Sequence, residues 1–215
     1  MKSIFITFIL YILSVTVADA QVSMRDLWIQ MPDSIVPYLN ISVRTEMADL
    51  YQMKVKAESK NLLEGTSVID TLTNDYIRVS LNSNSIMQIK QLPTESSFVI
   101  CVIKTFIAPE AESEVAFFNP EWKPLKESYC LPLSDDADKI KKEFTFRPDT
   151  MTHERYDELL TQLDPIMLHS EVLANENVVV FELSQPLLSK EDKVNINAII
   201  KQRKFKWNGQ TFIEC

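Results

Sequence analysis

The residues best suited to chemistry are few and scattered. His153 stands beside Glu154 and four positions before Asp157. On one helical face this gives two metal ligands, short of the three or four that a zinc site uses. His169 alternates onto the same strand face as Glu171. The chain has 2 histidines, so an all-histidine zinc triad is excluded. Asp135-Asp-Ala-Asp138 has the carboxylates of a calcium loop without its spacing or its glycine, and a helix start explains it better. We therefore expect no metal and no cofactor. Cys101 or Cys130 could form a nucleophile–base pair with His153 or His169 only if the fold joins them. No serine precedes a lysine by three residues, and Asp70-Thr71 and Asp149-Thr150 lack the glycine of an aspartic-protease loop. Glycine-rich phosphate loops and the glycine-flanked serine elbow are excluded too, because the 2 glycines are Gly65 and Gly209. Acids are plentiful, but nothing singles out a glycosidase-like pair. No catalytic residue is assigned.

The binding candidates lie near the C-terminus. Lys201, Arg203, Lys204 and Lys206 interleave with Phe205 and Trp207. Lys204, Lys206 and Trp207 could together hold an anionic glycan. Alternation instead puts Phe205 and Trp207 on one strand face and the two lysines on the other, which is how an edge strand is guarded against aggregation. Trp28, Tyr38 and Trp122 could line a groove, although lone aromatics more often fill a core. The net charge of −8 repels phosphates and anionic lipids, which disfavours nucleic acid and membrane surfaces as partners.

Residues 1–20 read as a secretory signal peptide. Lys2 precedes an apolar run from Ile4 to Val17, and Ala18-Asp-Ala20 predicts cleavage between Ala20 and Gln21. The expected product is an exported protein, periplasmic or extracellular, with no stable membrane insertion after cleavage. In that compartment Cys101 and Cys130 are a candidate disulfide, with Cys215 left over. The alternative is that Cys101 is a core residue within an apolar run. Asn40-Ile-Ser42 is an N-glycosylation sequon. Asp33-Ser-Ile35, Asp70-Thr-Leu72 and Asp149-Thr-Met151 resemble the O-glycan acceptor of some Gram-negative gut anaerobes.

The elements that must position these residues follow from periodicity. Ser23-Met-Arg-Asp26 starts a helix that Pro32 ends, and a second helix spans about 42–53. Residues 55–133 read as an antiparallel meander. It contains alternating Ile77, Val79 and Leu81, an extended stretch 86–92, a doubly covered strand 98–106, a strand 115–118 and a further strand 129–133. A short helix is expected over 134–142. Arg147-Pro-Asp149 marks a boundary between a section 21–146 and a section 147–215, packed as one globular unit. The second section holds a helix around Tyr156–Leu163, strands 166–173 and 178–183, and a helix opened by Ser189-Lys-Glu-Asp192. Asn208-Gly209 predicts a two-residue hairpin turn that pairs Phe205 with Phe212 and Arg203 with Glu214. Gly65 is expected to serve another turn. The fold class is α+β.

Several of these segments resemble an uncharacterised family of exported proteins from Gram-negative gut and oral anaerobes. They are Met31-Pro-Asp-Ser-Ile-Val-Pro-Tyr-Leu39, Thr73-Asn-Asp-Tyr76, Val99-Ile-Cys-Val-Ile-Lys-Thr105, the turn before Trp122, Ser189-Lys-Glu-Asp192 and Trp207-Asn-Gly209. The resemblance implies one shared architecture and an exported location, and brings no catalytic residues. The expected function is a non-catalytic binding or interaction module whose partner is a protein or glycan of the cell envelope. The alternatives are a carboxylate-dependent glycan hydrolase and a small-ligand carrier using a cavity near Phe98, Val115 or Phe117.

Overall fold

The computed structural model describes residues 22–107, 109–134, 136–184 and 189–215. The signal segment, the Ala20–Gln21 junction and Asp135 lie outside them. Two helices come first, α1 (Met24–Gln30) and α2 (Ile41–Gln52). Ser23 and Asn40 cap them by accepting the backbone N–H of Asp26 and Val43. Seven strands follow: β1 (Glu58–Lys60), β2 (Thr66–Leu72), β3 (Tyr76–Asn82), β4 (Ser85–Pro93), β5 (Phe98–Phe106), β6 (Glu112–Phe118) and β7 (Pro124–Leu125). They form one sheet in sequential order, each neighbour antiparallel.

Helices α3 (Ala137–Phe144) and α4 (His153–Thr161) lead into a second sheet, joined by α5 (Lys190–Asn197). Its strands are β8 (Leu168–Val172), β9 (Val178–Leu183), β10 (Arg203–Trp207) and β11 (Phe212–Glu214), in the order β11-β10-β9-β8. The architecture is α+β, as expected. Among the described residues, no helix is long and apolar enough to cross a membrane.

The meander is covered on both faces. On β5, Ile100 and Val102 join the core under α1 and α2, while Val99, Cys101 and Ile103 join the core under the second sheet. Strict alternation on one strand thus feeds two cores. The second core draws on residues from both sides of Arg147-Pro148-Asp149, from Tyr76 to Phe212. Full burial of one such side chain contributes about 1.5–3 kcal/mol.

The two covers meet the meander differently. The second sheet brings the free edge of β8 against it. An uncovered strand edge carries unpaired N–H and C=O groups. Polar side chains on the meander take them. The Gln88 amide donates to the Val172 carbonyl at 3.1 Å and accepts from the Val172 N–H at 3.4 Å. The Ser113 hydroxyl accepts from the Ser170 N–H at 2.9 Å and donates towards the Ser170 carbonyl at 3.1 Å. Lys90, 1% exposed, donates to the Ala174 carbonyl at 2.8 Å.

Three local expectations are corrected. Residues 129–133 are not a strand, because Tyr129 and Cys130 have φ of 50° and 65°. The Tyr129 ring fits between Phe117 and Trp207, with centroids 4.8 and 5.3 Å away, and its carbonyl accepts from the Phe212 N–H. The final hairpin has a four-residue loop, pairing Trp207 with Phe212 and Phe205 with Glu214. Asn208 sets that register: its Oδ1 accepts from the N–H groups of Gln210 and Thr211, and Gly209 takes φ 103°. The cross-strand aromatic pair is therefore Trp207–Phe212. The Arg203–Glu214 ion pair forms across a diagonal instead, at 2.7 Å. Finally, β10 is an inner strand, so its lysines do not guard an edge.

Candidate functional site

The C-terminal trio splits across the sheet. Lys204 and Lys206 are exposed on the outer face. Trp207 is 5% exposed in the core, and its indole N–H donates to the Pro93 carbonyl at 2.6 Å. The three share no surface on which a sugar could stack. Trp28 and Trp122 are also buried, the first donating to the Arg44 carbonyl and the second packed on Phe118.

Cys101 and Cys130 are both free thiols. Cys101 is enclosed in the core, and burial pushes its thiol up to about 12. Cys130 and Cys215 are exposed. The core reading of Cys101 describes its position. His153 and Asp157 are exposed on α4. Among the described residues, no group of three His, Cys, Asp or Glu side chains is placed to hold a metal ion.

The structure brings together one pair that sequence reasoning did not connect. Ser113 Oγ lies 3.2 Å from His169 Nδ1. A nucleophilic serine needs its hydroxyl free to reach a substrate carbonyl. Here the same oxygen also meets Thr105 Oγ1 at 2.9 Å and both backbone groups of Ser170. The contact therefore joins β6 to β8 and leaves no attacking oxygen.

The arrangement most suited to a ligand is a cleft of about 490 Å³ at one end of the meander, within the range of small-molecule sites. Five segments far apart in the chain form it: Val22, Asp75, the β4–β5 turn, Pro120-Glu121 and Asn177. Phe98 provides an apolar wall, and Asp75, Glu95 and Glu121 provide carboxylates. Asp75 is already held by the buried Lys90 ammonium at 2.8 Å. Glu95 and Glu121 are exposed and form no ion pair among the described residues. Gln91 is 2% exposed. Its Nε2 donates to the Val22 carbonyl at 2.7 Å, and its Oε1 has no partner among the described residues. Of the carrier-cavity candidates, only Phe98 lines this cleft. Val115 lines a separate hollow beside α3, and Phe117 is buried.

The fold is shared with a solved structure of a domain of an uncharacterized protein from Porphyromonas gingivalis W83. The similarity has a TM-score of 0.70 at 22% identity, covering 87% of this chain and 96% of that one. No curated protein matches the chain. A family model matches residues 16–212, and on that match the chain belongs to the family described as "Protein of unknown function (DUF3256)".

Proposed function

We propose that this protein is an exported, non-catalytic binding module of the cell envelope and that it binds through the cleft beside Phe98. The observation that carries the reading is the cleft itself. It combines an apolar wall on β5 and a buried acceptor on β4 with exposed carboxylates on the adjoining turns. The signal-like residues 1–20 support export, and the negative net charge suits a soluble protein facing cationic partners.

The test is capture from detergent-free envelope extract, comparing the protein with a Phe98→Ala variant. The expected result is one partner or glycan fraction retained by the parent and reduced at least five-fold by the variant. Equal retention by both rejects the cleft as the binding surface. Fractionation of cells into cytoplasm, periplasm and medium tests export, and a cytoplasmic full-length precursor as the sole species rejects it.

A further inference from the structure

We infer that the cleft takes an organic cation, an ammonium or guanidinium group on an aliphatic stem, as on a lysine or arginine side chain of a basic segment. The inference rests on the cleft being the binding site and adds the ligand's charge and shape. Two independent observations support it. First, Glu95 and Glu121 stand in the cleft without an ion-pair partner among the described residues, whereas Asp75 is neutralised from behind by Lys90. No lysine or arginine among the described residues lines the cleft. Second, Gln91 forms part of the wall, is 2% exposed and keeps an Oε1 without a partner among the described residues. A buried acceptor without a donor is uncommon in folded proteins, and a ligand N–H can supply what the chain does not.

The remaining polar lining strengthens the selection. The turn residues Thr94, Ser96 and Ser97 carry hydroxyls, which can accept as readily as donate. An anion would meet two uncompensated carboxylates and no cationic side chain. A neutral sugar would leave those charges unused. Phe98 and Pro120 provide the apolar surface on which a methylene stem can lie. Charge-assisted hydrogen bonds from an ammonium to a carboxylate are roughly twice as strong as neutral ones, so the cleft favours a charged donor. The overall charge of −8 adds long-range attraction of the same sign preference.

Two probes separate the sources of such a group: cadaverine for a free amine, and an extended lysine-rich pentapeptide for a protein segment. Each is titrated into the full chain at 0.15 M salt, with amide chemical shifts as the readout. Saturable shifts confined to the amides of Val22, Asp75, Gln91, 94–98, Glu121 and Asn177 are expected. In Glu95→Gln/Glu121→Gln the affinity should fall at least ten-fold. In the charge-matched control Glu112→Gln/Glu114→Gln it should change less than two-fold. Binding of the peptide alone assigns the cation to a protein partner, and binding of both assigns it to the amine group itself. Equal loss in the control pair overturns the inference, because general acidity would then explain the binding. No saturable shift with either probe overturns it as well. If a neutral oligosaccharide binds the cleft while both cations fail, the ligand class is wrong and the cleft as a binding site survives.

Discussion

The two faces of the meander solve the same problem with different chemistry. Under α1 and α2 the contact is almost wholly apolar: Ile77, Val79, Met87, Ile89, Ile100 and Val102 meet Leu27, Trp28 and Met47. A helix satisfies its own backbone, so its cover needs only a greasy stripe. Under the second sheet, the strand edge of β8 arrives with backbone groups exposed, and Gln88, Lys90 and Ser113 must be polar to meet them. The helix side has comparable devices, placed where its chain is irregular: Gln91 donates to the Val22 carbonyl at 2.7 Å and Lys104 to the Ile35 carbonyl at 2.5 Å. Arg44, 1% exposed, donates to the carbonyls of Ile29, Met31 and Leu39 and pairs with Asp33 at 2.7 Å. Polar residues are buried where covering backbone is non-helical, and the cover's secondary structure decides it.

The largest effect tests whether the apolar parts of both faces are equivalent. Ile100 and Ile103 lie on one strand, are both 0% exposed and face opposite covers. Each truncation to alanine should destabilise by about 2–5 kcal/mol, the range for a deleted core isoleucine. Urea melts of the two variants should agree within about 1.5 kcal/mol, the spread expected from local collapse. A much cheaper Ile100→Ala would mean the helices adapt to the cavity, and the comparison would then need a rigid and a yielding face.

A smaller effect should appear on one side only. Gln88→Leu keeps the volume but leaves the Val172 N–H and carbonyl buried and unpaired, at about 1–3 kcal/mol. Its neighbour on the opposite face, Met87→Leu, should cost less than about 1.5 kcal/mol because it leaves no backbone group unpaired. Hydrogen exchange separates this from simple packing loss. The Val172 amide should exchange faster in Gln88→Leu relative to Phe181, while Met87→Leu leaves that ratio unchanged. An unaltered Val172 would show that the amide bridge is incidental.

The contrast also explains what could be read from the sequence. Period-3.6 and period-2 patterns pointed to α1, α2 and β3 to β5, because the apolar stripe and its cap are local signals. The caps at Ser23 and Ser189 are local too, each hydroxyl accepting from a backbone N–H three residues on. The polar bridges are not local: Gln88 and Lys90 meet partners 84 residues away. Within β4 they look like breaks in a buried strand. The hairpin register departs from the two-residue expectation because the Asn208 side chain makes its own turn, which lengthens the loop to four residues. The cleft was invisible for the same reason as the bridges. Glu95 and Glu121 look like ordinary loop acids until β5 and β6 bring their turns to one end of the sheet.

The smallest effect compares the charged clamps on the two sides. On the sheet side, Arg203 stacks over Phe144 and Phe205 and holds Glu143 at 2.8 Å and Glu214 through two bonds of 2.7 Å. Those bonds from Arg203 hold the Glu214 carboxyl below its usual value, against a smaller opposing contribution from burial. A carboxyl lowered by folding stabilises the fold above its unfolded pKa, and that contribution disappears as pH falls through the folded value. Arg203 stays charged throughout, so Glu214 alone sets the window. The Glu214 side chain is 51% exposed, so solvent limits the pair to about 0.5–1 kcal/mol. Glu214→Gln should show that deficit in urea melts at pH 7, and the deficit should shrink as pH falls below the ordinary carboxylate range. On the helix side, Arg25 and Asp49 bridge α1 and α2 at 2.5 Å, and among the described residues no aromatic ring backs Arg25. Asp49→Asn should therefore cost less than Glu214→Gln at pH 7. The reverse order would place the stronger clamp on the helical cover and remove charge from the list of differences between the two faces.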